Sequence, residues 1–309
     1  MTHVLERRGS SKNIWKVLGD NGEVVQLYFE FSDRVSVFDI GPIPVGFTGL
    51  GRLRCAIAGK LFQALNSAGH NTHYISHDVK SARMYVQPVN IPALSIDYGV
   101  VSSFNLMPVE LLCRLALTKK FMGRVERGEV DRRRVERLMM FPNWHEGVHL
   151  DPPFVECSTK FEEADRYLSD AEAARLICIG HRQLLGHYEV VEKVFKLFNN
   201  LFRSSGFVLI DGKLEAALSK FDGSLMFVDS ISPDELRLIG SDGRSYDKDP
   251  VRQWYQETFP DWYAELTAIK EAFPNDKSQW PTYPALPPSA IIEDMVGRYQ
   301  AVAEAVSAL

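Results

Sequence analysis

Apolar residues recur along this chain with two different periods, and the period separates its strands from its helices. Residues 23–31 (EVVQLYFEF) crowd β-branched and aromatic side chains behind an Asn21-Gly22 turn, which predicts a strand. From Leu53 the set Leu53, Ile57, Leu61 and Leu65 repeats near the helical period and stops at Gly69, which predicts a helix. Short β-like stretches run on to about residue 96, and 109–117 is an apolar segment with two embedded charges. Residues 170–202 read as one long helix, with Val191, Val194, Phe195, Phe198, Leu201 and Phe202 on its apolar face. Two strands, 206–218 and 225–229, flank Asp222-Gly223. Ile292, Met295, Val296, Tyr299, Val302 and Val306 form the buried side of a closing helix over 291–306. Between these elements lie a Gly/Pro loop (41–51), a charged and solvated excursion with a helix (119–140), a Pro-punctuated loop (141–160) and a rigid connector (274–288). Strands first and a helix-and-hairpin mixture later predict α+β rather than a parallel α/β sheet.

At 309 residues, one or two intimately packed domains are expected. With 45% hydrophobic and 24% charged residues, wholesale disorder and a coiled-coil rod are excluded. Charge matters more: 35 basic against 40 acidic residues leave −5, a poor match to a non-specific nucleic-acid binder. Anionic small molecules held by a few local Lys and Arg remain compatible with that balance. Cys55, Cys113, Cys157 and Cys178 are scattered without a CxxC, as in reduced, mostly buried thiols of a cytoplasmic protein. No signal peptide is read at the N-terminus. The most apolar stretch, 100–117, is interrupted by Asn105, Glu110 and Arg114, so no membrane span is expected.

His145-Glu146-Gly147-Val148-His149 matches HExxH literally. That motif binds zinc only when a helix puts both imidazoles on one face. Pro142 before it, Gly147 inside it and Pro152-Pro153 after it argue against a helix, so zinc is rejected. Residues 46–51 are glycine-rich but lack a P-loop lysine, and no GxSxG elbow occurs.

The informative stretch is 206–237. Period-two alternation puts Asp211, Lys213 and Glu215 on one strand face, opposite apolar Ile210, Leu214 and Ala216. A three-residue loop, Phe221-Asp222-Gly223, sets Glu215 directly opposite Asp229, where two carboxylates repel unless a divalent cation such as Mg²⁺ joins them. A two-residue Asp-Gly loop shifts the register and puts them on opposite faces. A surface hairpin with a solvated charged face is the alternative.

From about residue 8 to 255 the motifs, in order, resemble the SAICAR synthetase family. Arg8 to Trp15 is similar to its Gly-rich turn over nucleotide phosphates, and Ser32 to Asp39 to its SDRxSxFD signature. Thr48-Gly49-Leu50-Gly51 resembles its GKG-plus-helix segment, and Pro108 to Arg114 its PVExxxR strand. Ser158-Thr159-Lys160 with Asp165 to Ser169, the DxKxE of Asp211, Lys213 and Glu215, the metal aspartate Asp229, the SPDxxR of Ser232 to Arg237, and Lys248 with Arg252 follow. The resemblance implies a two-lobed α+β fold related to ATP-grasp enzymes. It divides the chain into a β lobe (1–107) and a larger α+β lobe (108–309), with ATP between them.

It also implies roles. Gly9, Ser10, Ser11, Lys12 and Lys213 would hold ATP, Glu215 and Asp229 would hold Mg²⁺, and Lys213 with Asp211 would be catalytic. Asp39, Arg114, Lys120, Ser158, Lys160, Asp165, Arg237, Lys248 and Arg252 would face the substrates, since guanidinium and ammonium groups suit their anions. The implied reaction is ATP-driven amide ligation, through an acyl phosphate, of an amino acid such as aspartate to the carboxylate of an aminoimidazole ribonucleotide. No nucleic-acid or membrane partner is implied, and a homo-oligomer is left open. The chain also departs from the family: Ser10 and Leu50 replace lysines, Lys120 replaces a phosphate-binding serine, Ala164 a histidine, Ser230 a glutamate and Leu236 a serine. The metal pair is intact while other positions have drifted. This points to a divergent member, in purine-like or C-nucleoside natural-product biosynthesis, with housekeeping purine synthesis and a non-catalytic nucleotide-binding protein as alternatives.

Overall fold

The computed structural model describes residues 1–139, 144–162 and 165–307. Pro142, the rest of 140–143, and Ala164 lie outside the described residues. β1 (Thr2–Arg8), β2 (Lys12–Leu18) and β3 (Val24–Phe31) form a meander. β4 (Tyr74–Asp78) and β5 (Arg83–Val86) extend it into an antiparallel sheet ordered β1-β2-β3-β5-β4. α1 (Leu50–Ser67) covers one face and buries Ile57, Leu61 and Leu65 in a core with Phe29, Phe31 and Met84. The helix starts ahead of Leu53 because the Asp33 carboxylate accepts from Gly49 N (3.1 Å) and Gly51 N (2.8 Å), satisfying two N–H groups that a helix start leaves unpaired. Gly51 is required there: a Cβ would lie 2.6 Å from the Phe31 carbonyl oxygen.

The second sheet contains β6 (Phe104–Leu106), β7 (Val109–Ala116), β8 (His149–Thr159), β9 (Tyr167–Leu168), β10 (Phe207–Ser219), β11 (Leu225–Val228) and β12 (Leu236–Gly240). Its main path is β11-β10-β7-β8-β9, and β6 and β12 also pair with β10, all antiparallel. The α+β prediction therefore holds, and β6 shows that the second sheet begins ahead of residue 107. α4 (Asp170–Ile177) and α5 (His181–Arg203) lie behind it, where Val191, Val194, Phe195 and Phe198 share a core with Leu111, Cys113, Val155 and Leu214. Next come α6 (Asp249–Thr258), α7 (Pro260–Ala272) and α8 (Ser289–Ser307). α8 returns to α1, with Met295 and Tyr299 beside Leu50 in a separate core.

Three sequence expectations are corrected. The predicted loop at 141–160 is β8 from His149 onward. Pro152 and Pro153 are tolerated because the β7–β8 register shifts between Arg114↔Phe154 and Ala116↔His149, where no ladder donor is required. The predicted single helix over 170–202 is two, broken where Cys178 adopts a left-handed φ of 63° and Gly180 caps α5. The charged excursion holds α2 (Lys119–Glu126) and α3 (Arg132–Glu136), and it is not simply solvated. Phe121, Val125, Val135, Leu150 and Phe154 form their own core. Residues 145–147 form a turn and His149 begins a strand, so the helix that a zinc motif needs does not exist there.

One buried ion pair joins the lobes. Arg54 of α1, 1% exposed, grips Asp234 through Nε (2.6 Å) and Nη2 (3.2 Å), while its Nη1 donates to the carbonyls of Ser32 and Arg34. Lys248 (3.1 Å) and the Tyr299 hydroxyl (3.0 Å) reach the same carboxylate. Arg54→Leu leaves that carboxylate with only Lys248 and Tyr299 and should cost about 3 kcal/mol of stability, read as a lower urea midpoint; an unchanged midpoint would refute the role.

Candidate active site

The floor of the site follows from strand parity. Across β7, β8 and β10, directly opposed residues share a face. The register Asp211↔Arg114, Lys213↔Leu112, Glu110↔Ser158 and Leu112↔Glu156 therefore collects Glu110, Arg114, Glu156, Ser158, Asp211 and Lys213 on one side. Asp211 is also opposite Arg237 of β12, so two arginines flank it, each 3.5 Å from its carboxylate. The Lys213 ammonium is held by both oxygens of Glu110 (2.9 and 3.0 Å). Burial works against the charge of Lys213, but Glu110 and Asp165 outweigh it and raise its pKa. Arg114 donates to Glu156 (2.7 and 3.1 Å), which also accepts from Arg124.

Glu215 and Asp229 come together by a route the sequence did not show. The hairpin pairs Glu215 with Val228 and closes Ser219 on Ser224, so its loop is 220–223 and neither predicted register occurs. Asp229 leaves β11 in a left-handed conformation (φ 67°), and this kink returns it to Glu215's side. The His73 ring Nε2 donates to its carbonyl (3.0 Å) and is neutral, since burial lowers its pKa to about 4. Lys12 donates to Asp229 (3.0 Å) and to Ser230 Oγ (2.9 Å), and Lys160 pairs with Glu215. Burial and then the Asp229 charge push the Glu215 carboxyl up to about 6. Burial also opposes Asp229, but Lys12 and Lys160 hold it down at about 2.

Glu215, Asp229 and Lys160 stand at the wall of a cavity of about 200 Å³ that is otherwise largely apolar, with Phe29, Leu27, Val86 and Ile91 among its lining. Two polar cavities, of about 350 and 170 Å³, share Leu112, Lys120, Tyr167 and Lys213. The first also takes Asp39, Ser158 and Asp165, the second Arg114, Asp211 and Arg237. Lys160 lies on the apolar cavity and Lys213 on the polar ones. Gly9, Ser10 and Ser11 make the turn between β1 and β2 and line none of these cavities. Lys248 is taken up by Asp234, and Arg252 by Asp249 (3.0 Å) and Asp247 (3.8 Å), so neither lines the polar cavities.

Sequence reasoning missed Glu110 and Glu156 as the partners that hold Lys213 and Arg114; counting parity back along 109–117 would have found Glu110. It also missed Glu235, which lines the smaller polar cavity and accepts from Ser232 N and Oγ (both 2.9 Å). Burial, then Asp234, push its carboxyl up to about 7. Cys113 and Cys157 face away from this floor, and burial pushes both thiols up, Cys157 to about 12.

Cations gathered around buried carboxylates, with no activated thiol among them, suit phosphoryl transfer to a carboxylate rather than covalent catalysis by the protein. Scaffold and site define an ATP-dependent carbon–nitrogen ligase. The chain belongs to the SAICAR synthetase family, whose model matches residues 5–269. It is 30% identical over 249 residues to the phosphoribosylaminoimidazole-succinocarboxamide synthase of Thermoplasma volcanium, covering 77% of this chain and 79% of the other. Its fold is similar to the SAICAR synthase of Saccharomyces cerevisiae in complex with SAICAR (TM-score 0.68, 20% identity, 99% of this chain and 95% of that one). It is also similar to a SAICAR synthetase in complex with ADP (TM-score 0.60, 23% identity, 90% and 99%).

The raised Glu235 carboxyl has a stability consequence. The folded protein keeps that proton up to about pH 7, whereas the unfolded chain loses it near its ordinary 4.5. Stability contributed at this site therefore falls as pH rises from 4.5 to 7. Urea unfolding of Glu235→Gln against the parent should show the variant gaining, on the order of 3 kcal/mol, between pH 4.5 and 7.5; parallel pH profiles would refute this.

Proposed function

We propose that the protein joins aspartate to the carboxylate of carboxyaminoimidazole ribonucleotide at the expense of ATP, as in housekeeping purine synthesis. One observation carries this reading. The Glu215–Asp229 pair borders, with Lys160, an apolar cavity suited to a nucleobase, and β10 continues from it into a polar cleft of Lys213, Arg114 and Arg237. A carboxylate is a poor acyl donor, and phosphorylation supplies a leaving group that an amine can displace. Lys12 and Lys160 offer positive charge beside the phosphates, while Arg114 and Arg237 suit a phosphate or carboxylate of the ribonucleotide. Asp211 holds both arginines in place, and Glu110 aims Lys213 into the cleft.

The residues fit Mg²⁺. Two half-buried carboxylates lie close enough for one to raise the other's pKa, and Mg²⁺ commonly binds through one or two carboxylates with substrate phosphates completing its shell. Among the described residues no third His, Cys, Asp or Glu completes an all-protein site. Glu215 and Asp229 would hold the ion, which when bound would neutralise charge on the transferred phosphoryl group. Three cysteines are buried and all four are free, which supports a reducing compartment such as the cytoplasm. No helix among the described residues is long and apolar enough to cross a membrane. Nothing in the geometry or the relatives favours natural-product synthesis, despite the drift at Ser10, Leu50 and Lys120.

Purified protein with Mg·ATP, aspartate and carboxyaminoimidazole ribonucleotide should release ADP and the succinocarboxamide in equal amounts. Glu215→Ala should lower turnover by about 100-fold or more, as for loss of a charge-stabilising group. ATP binding without product would overturn the substrate assignment, and full activity of Glu215→Ala would overturn the metal assignment.

A further inference from the structure

The matched family region ends at residue 269, but the larger polar cavity is completed beyond it, by Lys270, Lys277 and Trp280. This wall is built. Trp280 is buried, and its Nε1 donates to the Phe273 carbonyl (2.9 Å). Lys277 opens a short 3₁₀ turn, which Asp276 caps by accepting from Ser278 N (3.2 Å) and Oγ (2.5 Å). Lys270 and Lys277 both lie over the Trp280 ring, 4.7 and 5.4 Å from its centroid. Gathering two ammonium groups at one indole costs mutual repulsion that a bound anion relieves.

The charges around this cavity are unequally matched. Lys213 is taken by Glu110, and Lys270 by Asp39 (3.3 Å) and the Phe38 carbonyl (3.0 Å). Among the described residues, Lys120 and Lys277 have no carboxylate within ion-pair distance. Asp165 also lines this cavity, where burial and Glu110 raise its pKa and Lys213 and Lys277 lower it. Ser158, 3% exposed, lines the same cavity, and its Oγ has no hydrogen-bond partner among the described residues. A buried hydroxyl without a partner costs free energy that a ligand's oxygen would recover. The arginines lie in the other polar cavity, beyond Lys213.

We propose that Lys277 and Lys270, set by Trp280, form a carboxylate-binding subsite that receives the side-chain carboxylate of a dicarboxylic amino acid, so that the 270–280 segment determines which amine is ligated. This rests on the reaction proposed above. The ribonucleotide's phosphate is assigned to the arginine end.

Calorimetric titration of the full-length protein with Mg·ADP present tests the subsite without turnover, using succinate as the dicarboxylate and ribose 5-phosphate as the phosphate probe. Succinate should bind the parent, bind Lys277→Ala at least tenfold more weakly, and bind Lys277→Arg within about threefold of the parent, while ribose 5-phosphate changes less than twofold. Lys277→Gln, which keeps the stem, should behave as Lys277→Ala. Absence of succinate binding to the parent, equal succinate affinity in Lys277→Ala, or a larger loss for ribose 5-phosphate would each overturn the proposal. Should succinate behave as expected while no succinocarboxamide forms in the ADP-release assay, the reaction assignment fails and the carboxylate subsite stands.

Discussion

A carboxylate at the centre of the molecule sets the positions of the rest. Asp234 is 4% exposed along its side chain and would be prohibitively costly to bury alone. Arg54 from α1, Lys248 at the start of α6 and Tyr299 from α8 converge on it. These elements come from both ends of the chain and can meet only if the lobes close in one way. Asp234 also belongs to the connection between β11 and β12, the segment that carries Asp229, Ser230, Ser232 and Glu235. Anchoring it anchors the acidic end of the site.

Around that anchor, the charged floor of the candidate site is a product of sheet geometry. β10 is long enough to pair with β7 and β6 as well as β11 and β12, so its one polar face meets charged residues from its neighbours. Each charge there has an assigned opposite: Asp211 with two arginines, Lys213 with Glu110, Glu215 with Lys160. The other face packs on α5 and excludes water. A charged face of this kind is tolerated because its members pair with one another, and the same pairing aims them for substrates.

The surplus of the arrangement is informative. The Glu215–Asp229 repulsion is only partly offset by lysines, and Ser158 has no partner among the described residues, so substrate groups and a cation would improve what the protein alone leaves strained or unsatisfied. Two of the positions at which the sequence departs from the family pattern lie beside this floor. Ser230 accepts from Lys12, and Lys120 stands on the cleft wall shared by both polar cavities. The central pairs are intact.

Local pattern determined a great deal by itself. Period two placed Asp211, Lys213 and Glu215 on one face, period 3.6 placed α1 and the apolar face of α5, and the order of short motifs pointed to the family. Those signals depend only on neighbours in sequence. Tertiary structure decided the remainder. Asp229 reaches Glu215 through a left-handed residue, not through hairpin register, because His73 and Lys12 hold that kink from elsewhere in the chain. β8 forms through a double proline because β7 offers a register shift at that point. Lys160 and Lys213 stand on different cavities because their partners, Glu215 and Glu110, lie on different strands. Glu235 is unremarkable in sequence and becomes a proton-retaining carboxyl only when the Asp234 anchor buries it. Direction of a charge is local information; its partner, burial and acidity are set by residues far away along the chain.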